Sequence, residues 1–594
     1  MTDHPDPQAP FPGPDARRPR RRMIAAVAAA AAVAVAATAG VIVANIDSPA
    51  AAPNAAPTTP DVAALAGDLA MQDVDWAACE FAAGDPQPGV DVSNVECASI
   101  RVPRDWLDPV AGETWDLRIS RTQNIDTADP DATTLLLHPG GPFPGLSFSA
   151  TMQQWTPEMQ PTTNYISFDQ RGIGTSSTVT CAYEYDPDDG PTAEARAIGS
   201  TCAEDADLAT MTTEQVAYDM DFIRHLLGVE KVSFLGYSYG TWLGTWFGTL
   251  FADNIEAMVL DSVIDGTSPT YEKNWKGQDV SIDRQLRLQM MNWLARNDAV
   301  YALGDDPEAI WDRYFDATGS SPEMDDAAYL VWAATGAATL QAKPVHSPFV
   351  ADVIVALIAE GESDAAGDAA TRATRVIRSL GLPAEATEPM IAQFAVFAPP
   401  APTSNADGIV EATFSSTDDV LRCVDGQWTQ GEDAWNEYSA RMADTAPFSA
   451  QLQRFDEAPV CVFWPTDVRM PDAHDRFPET IVVHSELDPL TPWEQGERMG
   501  AALPNTSLIA VDDEGVHGVF PYGTDEVDRP ILDLLLGRAD RPGETVYAAA
   551  KPLPLEQQTF SSWAPLDGDR TDPGFTDPFR PAPTAVLTST EETP

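Results

Sequence analysis

Short apolar runs rich in β-branched and aromatic side chains recur along the chain, each ending abruptly at glycine, aspartate or histidine. They are Thr133–Leu137, Tyr165–Phe168, Lys231–Leu235, Ala257–Leu260, Ile481–Val483 and Ser507–Val511. Apolar runs of this kind, with little alternation, suit strands buried on both faces. Between them lie patterns of helical period: Thr213–Leu227, with Thr212 or Thr213 as its cap ahead of Glu214 and Gln215, and Tyr239–Leu250. Strands alternating with helices at this spacing predict an α/β fold, a mostly parallel sheet covered by helices.

The pattern changes between about Asp265 and Thr480. Apolar stretches there, such as Tyr329–Leu340 and Phe349–Ile358, have helical spacing and few β-branched runs, which predicts a large, mainly helical insertion capping the sheet. The expected organisation is a core in two parts, 74–265 and 480–566, separated by the cap at 266–479. A tail rich in Asp, Pro and Thr follows at 567–594.

The N-terminus reads differently. Arg17, Arg18, Arg20, Arg21 and Arg22 precede an uncharged Ala/Val run from Met23 to Ala44, and residues 1–45 are expected to direct export. Taken as a signal peptide, the run has a small-x-small site at Ala37-Thr38-Ala39 and would be cut before Gly40. Taken as an anchor, it is long enough to cross a bilayer with the arginines on the cytoplasmic side. Both readings place everything downstream outside the cytoplasm, secreted or tethered to the membrane. Ala, Pro, Thr and Asn then suggest an extended tether over 46–73.

Composition narrows the partners. The 594 residues carry 91 acidic and 35 basic side chains, a net charge of −56, which argues against nucleic acid. Six cysteines in an exported chain suggest three disulfides, and nearest-neighbour pairing, Cys79 with Cys97, Cys181 with Cys202 and Cys423 with Cys461, is the expectation. No C-x-x-C or H-x-x-x-H spacing occurs, so no metal is expected, and nothing implies an organic cofactor.

The chemistry centres on Gly236-Tyr237-Ser238-Tyr239-Gly240, a G-x-S-x-G elbow between a strand and a helix. Glycines on both sides let the chain reverse sharply under the serine, exposing its hydroxyl and aiming the helix N-terminus at developing negative charge. The strand Thr133–Leu137 runs into His138-Pro139-Gly140-Gly141-Pro142, and the amides of Gly141 and Tyr239 are the candidate oxyanion donors. Pro142 has no N–H to give. Of the seven histidines, His517 lies in the glycine-containing loop Glu514-Gly515-Val516-His517-Gly518, able to project an imidazole as general base. Asp488, just past the strand Ile481–Val483, is the candidate acid that orients it. Asp261, Asp265 and Glu486 are rival acids, although Asp261 is expected to tie down a loop. The order Ser, Asp, His is the α/β-hydrolase order.

Together these residues resemble the α/β-hydrolase peptidases of the prolyl aminopeptidase and tripeptidyl aminopeptidase group, exported bacterial enzymes acting on free N-termini. His138–Pro142 resembles that group's P-G-G-P turn, Asp169–Gly174 its D-Q-R-G-x-G, and Gly236–Gly240 its G-x-S-Y-G. Asp488 with Thr491-Pro492, and His517-Gly518, resemble its D-x-x-T-P and G-H-G. Phe143 and Pro144 stand where the group usually has glycine and a small residue, His138 where it has asparagine, and Val516 where it has glycine. The resemblance implies a serine hydrolase releasing short peptides or single residues from peptide N-termini through an acyl-enzyme. In that group an acidic cap residue binds the substrate's ammonium, and Asp425 in Cys423-Val424-Asp425 is the position it suggests. The alternatives are a carboxylesterase or lipase-like enzyme with the same triad, and a catalytically silent surface module.

Overall fold

The computed structural model describes residues 59–555, apart from 83, 88, 111, 123–131, 337–346, 398–403, 407, 427, 429–430, 454–457, 467 and 554. The arginine cluster, the Ala/Val run, most of the tether and the tail 567–594 therefore lie outside the described residues. No helix among the described residues is long and apolar enough to cross a membrane.

Twelve strands are present among the described residues: β1 (Ala77–Ala78), β2 (Val95–Pro103), β3 (Thr114–Thr122), β4 (Thr133–His138), β5 (Thr163–Asp169), β6 (Cys181–Tyr185), β7 (Val232–Tyr237), β8 (Ile255–Asp261), β9 (Val410–Phe414), β10 (Glu479–Ser485), β11 (Thr506–Asp512) and β12 (Val546–Ala549). Ten form one sheet in the order β1-β2-β3-β5-β4-β7-β8-β10-β11-β12. The pairs β1/β2, β2/β3 and β3/β5 are antiparallel. From β5 to β12 every pair is parallel.

The six apolar runs read from the sequence are β4, β5, β7, β8, β10 and β11, each extended by a residue or two at one or both ends. Their side chains alternate between two cores. Leu136, Phe234, Val482 and Ala510 enter one, with Trp242, Trp246 and Phe247 of the helix Tyr239–Leu250. Leu135, Leu137, Leu235, Tyr237, Val483 and Ile509 enter the other. Strict alternation of the pleat sends successive apolar residues to opposite faces, which is why both neighbours of each must be apolar.

The chain leaves the sheet at Asp261 and re-enters it at Glu479, on the adjacent strand. The intervening chain is mainly helical among the described residues and has its own apolar core around Trp293, Tyr314, Trp332 and Phe448. Two features depart from the sequence reading. β6, assigned to the first core segment, pairs antiparallel with β9 of the cap, and Cys181 and Cys202 pack in one cluster with Cys423 and Cys461. The chain between β5 and the helix Thr213–Leu226 thus contributes to the cap region. Residues 62–71, placed in the tether, instead form a short helix and a 3₁₀ turn, with Val62 and Ala66 buried against the core. Apolar spacing in Val62-Ala63-Ala64-Leu65-Ala66 is the signal that the Ala/Pro-rich composition masked.

The disulfides are Cys79–Cys97, Cys181–Cys202 and Cys423–Cys461, the nearest-neighbour pairing.

Candidate active site

Sheet register brings the relevant strand ends together. Tyr237 of β7 pairs with Asp261 of β8, Asp261 with Val483 of β10, and Val483 with Ile509 of β11. Ser238, Asp488 and His517 each follow one of these strands, so the fold delivers all three to its carboxyl edge, where parallel α/β sheets place their ligands.

Ser238 is the first residue past β7 and has φ 53° and ψ −120°, a left-handed conformation that a non-glycine residue adopts only under constraint. The constraint comes from both sides. Its amide donates to Asp261 O at 2.9 Å, and its carbonyl accepts from the Thr241 amide at 2.8 Å. The turn closes so tightly that a Cβ on Gly236 would lie 2.5 Å from Gly240 O, which is why the elbow needs glycine there. Among the described residues the Ser238 hydroxyl and the His517 Nε2 atom make no hydrogen bond.

His517 and Asp488 are joined. The imidazole Nδ1 lies 2.9 Å from Asp488 Oδ2 and 3.0 Å from Oδ1. Asp488 is buried, and its Oδ1 also accepts the amides of Leu490 and Thr491, each at 2.9 Å. Burial alone would raise this carboxyl, but the adjacent imidazole and the donated hydrogen bonds outweigh it and hold it below the ordinary range. His517 shows the converse balance. Desolvation disfavours its imidazolium, yet Asp488, and beyond it Asp261, push its pKa above 6.5.

The rival acids are committed elsewhere. Asp265 accepts Arg498 Nε at 2.8 Å, and Glu486 accepts the Asp513 amide at 2.8 Å. Asp261 accepts the amides of Val519 (2.9 Å) and Phe520 (2.6 Å), just past His517, and the Ser262 hydroxyl at 3.0 Å. Burial raises its pKa to about 7. It ties down the histidine loop, as its sequence position suggested.

The turn His138–Pro142, the candidate oxyanion turn, is braced from below. His138 Nδ1 accepts the Gly140 amide at 3.1 Å, and its Nε2 donates to Gln170 Oε1 at 2.9 Å. This fixes a neutral tautomer, and burial lowers the pKa to about 4. The neighbouring Asp169 accepts the Gly145 amide at 2.7 Å, and Arg171 makes a fully buried ion pair with Asp219 at 2.7 Å. Three consecutive residues of the D-Q-R-G segment thus anchor three different parts of the scaffold. Gly140 and Gly141 have φ of 98° and 101°, and neither the Gly141 nor the Tyr239 amide is bonded to another protein group among the described residues. Both are thereby available as donors.

Other histidines are structural. His484 Nδ1 accepts the Val263 amide and its Nε2 donates to Thr491 O, bracing the turn that carries Asp488. His225 and His474 bond to backbone carbonyls of Ala70 and Thr249. His4 and His346 fall outside the described residues.

Asp425 follows the helix Thr417–Val424 and is 2% exposed. Its Oδ2 accepts the Thr213 hydroxyl and Trp242 Nε1, the latter at 3.1 Å, joining the cap to two core helices. Burial raises its pKa to about 7, and its Oδ1 has no hydrogen-bond partner among the described residues. No contact of the described structure brings it beside Ser238, Asp488 or His517.

Two residues of the histidine support escaped the sequence reading. Gln285 ends the cap helix Glu272–Gln285 and donates to Gly515 O. Gln289, in the π-helical turn Leu286–Met291 that follows, donates to Asp513 O at 3.2 Å. Both are buried, and they clasp the loop just before His517. Some 230 residues of sequence separate Gln285 from Gly515, and no local pattern signals the pairing.

An elbow serine, a carboxylate-oriented imidazole and free turn amides at the carboxyl edge of a parallel sheet define an α/β hydrolase. The family model for the alpha/beta hydrolase fold matches residues 133–317, and that for TAP-like protein matches 446–545. Tripeptidyl aminopeptidase of Streptomyces lividans is 28% identical over 548 residues, covering 83% of this chain and 90% of its own. Serine protease Hip1 of Mycobacterium tuberculosis is 27% identical over 222 residues, 34% of this chain and 41% of its own. The solved proline iminopeptidase of Mycobacterium smegmatis aligns over 74% of this chain and 98% of its own at 12% identity and a TM-score of 0.31, a likeness too low to carry any inference. The chain is a serine peptidase of the α/β-hydrolase fold, tripeptidyl aminopeptidase-like in sequence.

Proposed function

We propose that this peptidase is exported and releases short peptides or single residues from the free N-termini of peptides, with Ser238, His517 and Asp488 as its triad. The observation that carries the reading is the pairing of Asp488 with His517 beyond strands adjoining the one that ends in Ser238. The similarity to tripeptidyl aminopeptidase over most of both chains supports the choice of substrate.

In this mechanism Ser238 Oγ attacks the scissile carbonyl as its proton passes to His517 Nε2. Asp488 holds Nδ1–H and stabilises the imidazolium. The amides of Tyr239 and Gly141 receive the oxyanion, each such donor contributing about 3 kcal/mol to the transition state. Collapse expels the amine, which takes the proton from His517, and water then repeats the sequence on the acyl-enzyme. No metal or organic cofactor takes part in these steps.

The helical cap favours short, unfolded substrates over folded proteins. Asp425 enters this reading as the candidate for the substrate's ammonium through its unpartnered Oδ1. A carboxylate so enclosed reaches a ligand only if the cap moves, and its present contacts favour a role in seating the cap. Three disulfides support an oxidising compartment, consistent with export directed by the N-terminal run, which would also supply any membrane association.

A fluorophosphonate probe should label wild type and spare Ser238→Ala. Tripeptidyl- and aminoacyl-anilides should be cleaved, with N-acetylated versions resistant. Turnover of short acyl esters without any amide cleavage would replace the peptidase reading by the esterase one, and labelling of neither protein would favour a silent module.

A further inference from the structure

A cavity of about 570 Å³ opens beside the oxyanion turn, on the side of the helix Phe148–Trp155. Most of its wall is apolar, from Pro139, Phe143 and Pro144 of the turn, Phe148 and Trp155 of the helix and Val90 of the N-terminal segment, while Asp85, Gln87, Ser147, Thr151 and Gln154 supply its polar part. Phe143 is 62% exposed and Trp155 45%, so two large aromatic rings of one wall face open space together.

Phe143 links this cavity to the chemistry. A Cβ on Gly141 would lie 2.5 Å from Phe143 Cγ and 2.6 Å from Cδ2, so the ring stacks directly over the residue whose amide is the oxyanion donor. At the inner end, the Phe148 ring meets Tyr237, the residue before Ser238, edge to face with centroids 5.7 Å apart. The Phe143 ring thus packs against the residue whose amide, with that of Tyr239, would hold the scissile carbonyl, which sets the ring beside the reacting end of a bound peptide. The polar lining side chains are engaged within the protein: Asp85 accepts the amide and hydroxyl of Ser147, Gln87 donates to Gly84 O, Thr151 to Ser147 O, and Gln154 bonds the Asp91 backbone, which leaves the apolar surface as the main recognition element.

We propose that this cavity is a subsite for an apolar side chain of the leaving peptide, the residue just after the scissile bond, with Phe143 as its specificity-determining wall. The inference rests on the peptidase reading given above. The side is chosen by the cap. None of the residues lining the cavity comes from 266–479, so it lies outside the element that would enclose the substrate's free N-terminal end. The cavity falls within the size range of ligand sites and exceeds what one side chain fills, so a large aliphatic or aromatic residue fits.

The test uses peptides that share one N-terminal part and differ only in the first leaving residue, Leu or Phe against Ser or Asn. These substrates form the same acyl-enzyme, so their kcat/KM ratios report the leaving side alone. Wild type should prefer the apolar members. Phe143→Ala should reduce that preference about tenfold, the scale of a lost apolar contact in a pocket, and Phe143→Leu should recover much of it. Trp155→Ala, which leaves the oxyanion turn untouched, should act in the same direction. Selectivity among N-terminal residues should be unchanged in all three.

Equal turnover of apolar and polar members by wild type would overturn the proposal. So would a wild-type preference retained in both alanine variants, or a loss confined to the N-terminal side. If wild type cleaves none of the peptides yet hydrolyses esters, the peptidase reading falls first and the subsite with it.

Discussion

Asp261 accepts the amide of Phe520 at 2.6 Å, while its own carbonyl accepts the amide of Ser238 at 2.9 Å. One residue at the end of β8 thus holds both the serine elbow and the histidine loop, by different atoms. The relative position of a hydroxyl and an imidazole 279 positions apart in the chain depends on this double attachment.

Removing the carboxylate tests that dependence. Asp261→Ala strands the amides of Val519 and Phe520 in a buried site, at about 1–3 kcal/mol for each unsatisfied donor. The expected outcome is a lower melting temperature together with a fall in kcat exceeding the change in KM. Wild-type kcat in a destabilised variant would show that the histidine loop is positioned without Asp261.

The pH profile follows from His517. In the proposed mechanism His517 acts as base only when neutral, so kcat/KM is expected to rise with pH as the imidazolium loses its proton. Asp488 and Asp261 stabilise that imidazolium against the opposing effect of burial, so the half-point of the acidic limb belongs above 6.5. In Asp488→Asn it should move down, and kcat should fall by about 10⁴, the scale of losing a triad acid. Glu486→Gln should not reproduce that loss.

Gln285 and Gln289 tie the cap to the loop that carries His517. Gln285→Ala with Gln289→Ala frees the carbonyls of Gly515 and Asp513, and the expected result is reduced kcat with an intact Asp488–His517 pair. The downfield Nδ1 proton resonance of His517 by NMR would report the pair, and steady-state kinetics the rest. Unchanged kcat would mean that the loop is positioned without the two glutamines, by Asp261, Ser262 and Ser485.

Asp425 predicts a pH-dependent stability. Its folded pKa of about 7 lies above the 3.8 of an unperturbed aspartate, so the folded state binds the extra proton. Its contribution is therefore greatest at acidic pH and is lost as pH rises through about 7. Asp425→Asn mimics the protonated form, with an amide nitrogen replacing the oxygen that has no partner. Melting temperatures between pH 5 and 8 should fall less in the variant than in wild type. Parallel curves would place the carboxylate in contact with water or a counter-charge.

How much was legible in the chain follows from the range of the interactions. The elbow, the six central strands, the strand-end positions of Asp488 and His517, and the loop-tying role of Asp261 could all be read locally. Buried parallel strands need continuous apolar runs, and a strained serine turn needs its flanking glycines. The nearest-neighbour disulfides join cysteines 18 to 38 residues apart. The antiparallel strands β2 and β3 mix polar with apolar residues, β1 is only two residues long, and none of the three carries a comparable signal. Tertiary structure alone decided that β6 pairs with β9, that Asp425 is enclosed between Thr213 and Trp242, and that two cap glutamines clasp the histidine loop. These are single side chains or short segments meeting across hundreds of residues. Polar contacts of that kind carry no periodicity, and their geometry exists only once the sheet has fixed where each strand ends.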